Sequence, residues 1–146
     1  METLFWNNLP EQIRTFNFGT NEIKVVVPDN DAVKQQFKFY QSQKIEVAFP
    51  YWCKVWDSAI ALSQFLWRNS TLIKDKTVLE IAAGLGLPSL LAASVASNVT
   101  CTDFIDAPFY FVQKSIQANN INNLDCKIFN WYDKPLESKF DVVLLS

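Results

Sequence analysis

Small and acidic residues lie at alternate positions in the stretch TVLEIAAGLGLPSLL. They are Glu80, Ala82, Gly84 and Gly86, and two of the three glycines of the chain are among them. Glycine allows the backbone to turn tightly and a ligand to approach it closely. A carboxylate beside such a turn suits a cationic ligand and would repel a phosphate group. The spacing therefore predicts a ligand site at this turn.

The ligand that fits this pattern is S-adenosylmethionine (SAM), which carries a sulfonium and an ammonium group. Ala83 lies inside the same turn. The dinucleotide pattern G-x-G-x-x-G fits less completely, because its third position is Ser89. A nucleotide or dinucleotide stays open as an alternative, as does a plain strand-to-helix turn without a ligand.

A second acidic residue, Asp103, follows Gly84 by 19 residues and ends the next predicted strand. In nucleotide-binding folds, a carboxylate about 20 residues after the glycine turn accepts hydrogen bonds from the ribose hydroxyls. The alternative is a carboxylate that caps the following helix, but Asp106 and Pro108 already supply a start for that helix. Asp103 is therefore predicted to bind the ribose of the ligand.

Two tryptophans are predicted to line the same site. Trp56 lies at the start of a predicted helix, where a flat ring could contact a sulfonium. Trp131 ends a predicted third strand, where its ring could pack against adenine or simply cover the sheet edge. Other aromatic rings of this region, Phe65 and Trp67, are predicted to pack in the core.

The elements that must position these residues alternate between strands and helices. Strands are predicted over residues 77–81, 98–102, 126–131 and 140–145, and helices from Asp57 or Ser58 onward, over 88–96 and over 108–119. This alternation indicates an α/β fold with a Rossmann-like, doubly wound, mostly parallel sheet. The last strand is apolar enough to be central, and a central strand needs further cover. We therefore expect the sequence to lack the C-terminal strands of the sheet, or to complete the sheet through another chain.

The first third of the chain carries no pattern that predicts catalysis. Residues 1–48 are predicted to form an extension that packs on a SAM-binding domain over residues 49–146. Within the extension we expect a short helix near residues 11–16 and a strand over 22–28. A helix over 31–40 should place Val33, Phe37 and Tyr40 on one side.

The composition excludes several classes of function. The chain has 146 residues, of which 49% are hydrophobic and 19% charged, which is typical of one globular unit. It contains no histidine, which excludes histidine-based triads and histidine-ligated zinc, and we expect no metal. A net charge of −2 argues against a nucleic-acid partner. Three cysteines and no apolar leader or membrane segment predict a soluble cytoplasmic protein.

Taken together, these motifs resemble the seven-β-strand (class I) SAM-dependent methyltransferases, in particular the protein lysine methyltransferases that act on chaperones and on the β subunit of electron-transfer flavoprotein. The resemblance spans about residues 50–146. Its parts are V-W-D-(small)-(small) from Val55, V-L-E-(L/I)-G-x-G-x-G-L-P from Val78, V-T-x-T-D from Val99, Q-A-N from Gln117, the tryptophan at 131, and F-D-V-V-L-L-S from Phe140 to Ser146. The order and spacing of the parts carry the resemblance.

The resemblance implies an N-methyltransferase whose acceptor is a lysine of a protein substrate. The residues it implies around SAM are Trp56, the turn over 82–84, Asp103, Trp131 and Ser146, with Glu80 nearby. Methylation of a small-molecule or nucleobase amine stays an alternative, as does an inactive SAM-binding module.

Two features depart from the family pattern. Ala82 stands where the first glycine of the motif is usual. The acceptor-side motif of the family, Asp-x-x-Tyr, would begin directly after Ser146, so no catalytic residue is named.

Overall fold

The computed structural model describes residues 6–133 and 136–146. Along the chain the elements are β1 (Glu11–Phe18), β2 (Asn21–Pro28), α1 (Asn30–Ser42), α2 (Asp57–Arg68), β3 (Thr77–Ile81), α3 (Leu87–Ala92), β4 (Asn98–Asp103), α4 (Ala107–Ala118), β5 (Leu124–Ile128) and β6 (Val142–Leu145). Short 3-10 turns cover Tyr51–Cys53 and Ser70–Leu72. None of the described helices is long and apolar enough to cross a membrane.

The strands β3 to β6 form a parallel sheet in the order β5-β4-β3-β6. The chain moves outward from β3 to β4 and β5, and then returns to the other side of β3. Val78 accordingly pairs with Val99 on one side and with Val142 on the other. Ligands of open α/β sheets bind beyond the carboxyl ends of the strands at such a reversal. The predicted parallel α/β sheet is confirmed.

The core lies between the sheet and the helices. Val78 and Val99 of the sheet are fully buried, as are Leu90 of α3 and Phe111 of α4. Each such side chain contributes roughly 1.5–3 kcal/mol when it leaves water. The ring of Trp52 stacks on Phe111 with 5.6 Å between the ring centroids. This packing holds the segment before α2 against α4.

Residues 11–16 form a strand, so the predicted short helix is wrong. β1 pairs with β2 in antiparallel register along its whole length. Gly19 lies in the turn between them with φ +57°, and a Cβ atom there would lie 1.9 Å from the ring of Trp67. The partner strand and this tight turn, rather than the local sequence of residues 11–16, decide the conformation.

The hairpin of β1 and β2 packs on α4 through hydrogen bonds between backbone groups of β2 and side chains at the C-terminal end of the helix. The backbone N–H of Val26 donates to Ser115 Oγ at 2.8 Å, and that of Lys24 donates to Asn119 Oδ1 at 2.9 Å. The Asn119 amide also donates to the Lys24 carbonyl at 2.6 Å. The helix thereby covers backbone groups that a strand edge would otherwise leave open.

The predicted helix over residues 31–40 is confirmed as α1. Asp29 precedes it, and its Oδ1 accepts a hydrogen bond from the backbone N–H of Ala32 at 2.8 Å. Val33 and Tyr40 are buried and Phe37 packs against the core, as the helical spacing predicts. The predicted domain boundary after residue 48 stays a prediction.

Two predicted strands differ from the structure. β5 ends at Ile128 because its partner strand β4 ends at Asp103, whose carbonyl accepts the last hydrogen bond between them from the backbone N–H of Phe129. The second half of the predicted strand over 126–131 is therefore wrong. β6 covers Val142–Leu145 and is two residues shorter than the predicted strand over 140–145. It lies at an edge of the described sheet with Val143 57% and Leu145 67% exposed, and its central place in a complete sheet stays a prediction.

Details of the helices also differ from expectation. α2 begins at Asp57, but the cap position belongs to Trp56, which makes no side-chain capping bond. Phe65 is 52% exposed on the outer side of α2, so its predicted place in the core is wrong, whereas Trp67 packs against the core. The neighbouring Leu66 is buried on the inner side of the helix. α3 ends at Ala92, earlier than predicted.

Candidate functional site

A cavity of about 510 Å³ opens at the carboxyl ends of the parallel strands. Its wall comes from the segment before α2, the turn after β3, and the segments that follow β4 and β5. The residues of the sequence prediction that line it are Trp56, Ala82, Ala83, Gly84, Gly86, Asp103, Trp131 and Ser146. The fold thus brings together residues that are far apart in the chain.

The turn after β3 is built from residues in the left-handed region of backbone conformation. The φ angles are +55° at Ala82, +52° at Gly84 and +68° at Gly86. A Cβ atom on Gly86 would lie 3.2 Å from Cys101 Sγ, so this position also lacks space for a side chain. Ala82 adopts the conformation that favours glycine, at a cost of roughly 1–2 kcal/mol. Ala82, which departs from the family motif, therefore fits into the turn with a strained backbone conformation.

Asp103 connects the end of β4 to this turn. Its Oδ2 accepts a hydrogen bond from the backbone N–H of Gly84 at 2.9 Å, and its Oδ1 accepts one from Phe104 at 2.8 Å. Burial raises the pKa of Asp103, and these backbone hydrogen bonds lower it. A carboxylate has about four acceptor positions. The remaining ones can accept hydrogen bonds from hydroxyl groups in the cavity.

Glu80 does not line the cavity. Its carboxylate is completely buried, and Oε2 accepts hydrogen bonds from the backbone N–H of Ser89 at 2.9 Å and from Ser89 Oγ at 2.5 Å. Burial raises the pKa of Glu80 to about 7, while Ser89 lowers it and the charge of Asp103 raises it further. Through Oε2 the carboxylate therefore joins β3 to the first turn of α3, and the predicted contact of Glu80 with the cofactor stays a prediction. The first N–H groups of a helix have no partner within the helix, which explains why the N–H of Ser89 donates to this carboxylate.

Trp56 lines the cavity with a ring whose orientation is constrained. The ring is 46% exposed, and its Nε1 donates a hydrogen bond to the Tyr51 carbonyl at 3.0 Å. The Lys54 ammonium lies 4.7 Å from the ring centroid, within the range of a cation–π contact. The ring face therefore already holds a cation supplied by the protein.

Sequence reasoning missed several residues that line the cavity. They are Phe49, Tyr51, Lys54, Phe104, Asn130 and Tyr132, together with apolar residues of the same segments. The aromatic members are exposed large side chains at the cavity. The sequence carried a signal for some of them: Tyr132 adjoins the predicted Trp131 and Phe104 adjoins the predicted Asp103, whereas Phe49 and Tyr51 belong to the aromatic run FPYW. Trp131 itself reaches the cavity from the turn after β5, with its ring 6.1 Å from that of Tyr132.

Comparison with known protein families identifies one match that covers most of the chain. Residues 33–146 match the family model described as lysine methyltransferase. The histone-arginine methyltransferase METTL23 of Rattus norvegicus is 35% identical over 83 residues, which cover 56% of this chain and 37% of that protein. The protein N-lysine methyltransferase METTL21A of Xenopus tropicalis is 30% identical over 96 residues, which cover 62% of this chain and 44% of that protein. The chain thus spans less than half the length of these relatives.

Solved structures show the same fold. The 16S rRNA N2 G1207 methyltransferase RsmC of T. thermophilus, in complex with AdoMet and guanosine, aligns with a TM-score of 0.61 at 15% identity over 92% of this chain and 32% of that one. Coclaurine N-methyltransferase, bound to N-methylheliamine and SAH, aligns with a TM-score of 0.53 at 16% identity over 61% and 27%. These likenesses concern the fold alone, and they confirm the class I expectation. The chain belongs to the lysine methyltransferase family.

Proposed function

We propose that this protein is an N-methyltransferase that transfers the methyl group of SAM to a lysine side chain of a protein substrate. The observation that carries the proposal is one cavity lined by both the strained turn after β3 and the carboxylate of Asp103. The family match and the name of the METTL21A relative support the acceptor. The net charge of −2 argues against a nucleic-acid acceptor.

The residues of the cavity suit the chemical groups of the cofactor. Asp103 would accept hydrogen bonds from the ribose hydroxyls, and Trp131 would contact the adenine. Ala82, Ala83 and Gly84 of the turn line the cavity and carry no large side chain, so the backbone there can approach the methionine part. Trp56 would face the sulfonium. When bound, SAM supplies a methyl group on a positively charged sulfur, which leaves as a neutral thioether.

The protein contributes by positioning and by excluding water. Aromatic rings such as those of Tyr51 and Phe104 cover the cavity wall. A substrate lysine that enters this cavity loses hydration. The loss lowers the pKa of its ammonium group and favours the neutral amine, which can attack the methyl group. At pH 7 the deprotonation of an ordinary lysine costs about 5 kcal/mol. Desolvation by the wall would offset part of that cost, and alignment in the cavity would lower the barrier further.

Arginine is a second candidate acceptor. The observation that favours it is the similarity to the METTL23 relative, which is a histone-arginine methyltransferase. The guanidinium group stays protonated in proteins, so desolvation cannot prepare it as it prepares a lysine. The aromatic rings that line the cavity, such as those of Tyr51 and Phe104, would instead hold the planar guanidinium by stacking.

The cofactor site is tested by calorimetric titration of S-adenosylhomocysteine (SAH) into the purified chain. We expect micromolar binding that is lost in Asp103→Ala, because this variant removes the carboxylate that faces the cavity. Asp125→Ala, which removes an exposed carboxylate of β5, is the matched control and should bind normally. NAD should not bind. Equal affinity of both variants would contradict the assigned role of Asp103.

The acceptor is tested by methyl transfer from labelled SAM to a panel of protein substrates. Mass spectrometry of the products assigns each methyl group to lysine or to arginine. Methyl groups on lysine support the first candidate, and methyl groups on arginine replace it by the second. Cofactor binding without transfer to any protein would favour a small-molecule acceptor or an inactive SAM-binding module.

We also propose that the protein acts in the cytoplasm. Its three cysteines are free thiols, which suits a reducing compartment. Microscopy of a fluorescent fusion tests this proposal, and export from the cell would contradict it.

A further inference from the structure

The cavity contains a lysine, Lys54, that the proposed mechanism does not use. Lys54 and Trp56 both line the cavity, and the Lys54 ammonium lies 4.7 Å from the centroid of the Trp56 ring. Among the described lining residues, Lys54 carries the positive charge and Asp103 the negative charge. These two residues come from different walls, since Asp103 ends β4 and Lys54 precedes α2.

The orientation of the Trp56 ring relative to Lys54 is constrained. The hydrogen bond from Trp56 Nε1 to the Tyr51 carbonyl, 3.0 Å long, constrains its rotation. A second cation that used the same face would have to displace the Lys54 ammonium or lie beside a like charge. Both outcomes weaken the binding of a cationic ligand.

SAM and SAH differ in the charge of the sulfur atom, and this charge decides whether Lys54 repels the ligand. The sulfur of SAM carries a methyl group and a positive charge, whereas the sulfur of SAH is neutral. Their adenosine and amino-acid parts are identical, so any interaction of Lys54 with those parts cancels in the ratio of the two affinities. That ratio isolates the effect of the sulfonium charge.

We propose that Lys54, held on the Trp56 ring, is a specificity-determining residue that disfavours charged SAM relative to neutral SAH. The inference rests on the proposed function, because it requires the cavity to be the SAM site. Its consequence is that the product SAH competes with SAM more strongly than it would without the Lys54 charge.

The test measures dissociation constants for SAM and for SAH by calorimetry in the wild type and in Lys54→Met. The variant keeps the length of the side chain and removes the charge. We expect the ratio Kd(SAM)/Kd(SAH) to fall by about two- to fivefold, as expected for an exposed cation–π contact that is freed for the ligand. Lys54→Arg should keep the wild-type ratio. Lys74→Met, an exposed lysine outside the cavity, is the control and should also keep it.

A double-mutant cycle tests whether Lys54 acts through the ring. In Trp56→Leu, removal of the Lys54 charge should change the ratio less than it does in the wild type. An unchanged ratio in Lys54→Met, with SAH still bound, would overturn this inference and leave the proposed function standing. Equal weakening of both ligands would also overturn it, since Lys54 would then act on their shared part. Absence of SAH binding by the wild type would instead overturn the proposed function.

Discussion

Ala82 is a residue whose backbone conformation costs stability. Its φ of +55° lies in the left-handed region, where a Cβ atom is strained by roughly 1–2 kcal/mol. Glycine removes this strain but adds conformational freedom to the unfolded chain, which is worth about 0.4–1 kcal/mol in the opposite direction. We expect Ala82→Gly to raise the free energy of unfolding by about 0.5–1 kcal/mol. Urea denaturation measures the change.

The neighbouring residue supplies the control for this prediction. Ala83 lies in the same turn but outside the left-handed region. Ala83→Gly should therefore only lower stability, through the entropy of the unfolded chain. Equal losses in the two variants would show that the turn carries no strain at Ala82.

The three cysteines should differ in reactivity. Cys101 and Cys126 are register partners on β4 and β5. A hydrogen bond from Cys101 lowers the pKa of the Cys126 thiol, and the same contact together with burial raises that of Cys101. Burial raises the pKa of Cys53. Because the thiolate is the reactive form, we expect Cys126 to be alkylated first by iodoacetamide near neutral pH.

Peptide mass spectrometry over a time course measures this order. Cys101→Ala should slow the alkylation of Cys126, because it removes the hydrogen bond that favours the thiolate. Faster alkylation of Cys53 than of Cys126 would contradict the prediction.

At the scale of elements, the hairpin of β1 and β2 depends on α4. Ser115 is fully buried, and its hydroxyl accepts the hydrogen bond from the backbone N–H of Val26 at 2.8 Å. Ser115→Ala would leave this buried N–H without a partner, at a cost of about 1–3 kcal/mol. We expect that loss in the free energy of unfolding measured by urea denaturation. Gln117→Ala, at an exposed position of the same helix, should change it by less than about 0.5 kcal/mol.

Faster amide hydrogen exchange confined to the hairpin would locate the effect of Ser115→Ala. A loss of stability without any change of exchange in β2 would contradict the assigned docking contact.

At the scale of the whole molecule, the cavity lies at the point where the strand order of the sheet reverses. The buried carboxyl groups of Glu80 and Asp103 belong to this part of the sheet. Burial raises the pKa of Glu80 from 4.5 to about 7. Between these values the folded protein binds a proton that the unfolded chain has lost, so stability falls as the pH rises. The difference corresponds to roughly 3 kcal/mol. Burial also raises the pKa of Asp103, which acts in the same direction.

Glu80→Gln separates the contribution of Glu80 from that of Asp103. The amide cannot ionise, so we expect the variant to lose roughly 3 kcal/mol less stability than the wild type between about pH 4 and about pH 8. Urea denaturation at several pH values measures both curves. The remaining slope belongs to Asp103 and the other acidic groups. Parallel curves would mean that Glu80 is already ionised in the folded protein.

Local signals in the sequence determined the centre of the fold. The β-branched and apolar run of residues 77–81 is β3 with the predicted bounds. The glycine turn and the acidic residue Asp103 also lie where their spacing placed them, because a strand, its turn and the end of the next strand depend mainly on neighbours in the chain. The resemblance to class I methyltransferases followed from the same residues.

Only the tertiary structure decided which groups meet. β1 is a strand because β2 supplies its hydrogen bonds. Glu80 accepts hydrogen bonds from Ser89, because the start of α3 offers buried donors to a carboxylate that has left water. Lys54 and Trp56 are close in sequence, yet their contact depends on the ring orientation that the Tyr51 carbonyl imposes. Spacing specifies which element a residue belongs to, whereas the partner of its side chain depends on the packing of distant segments.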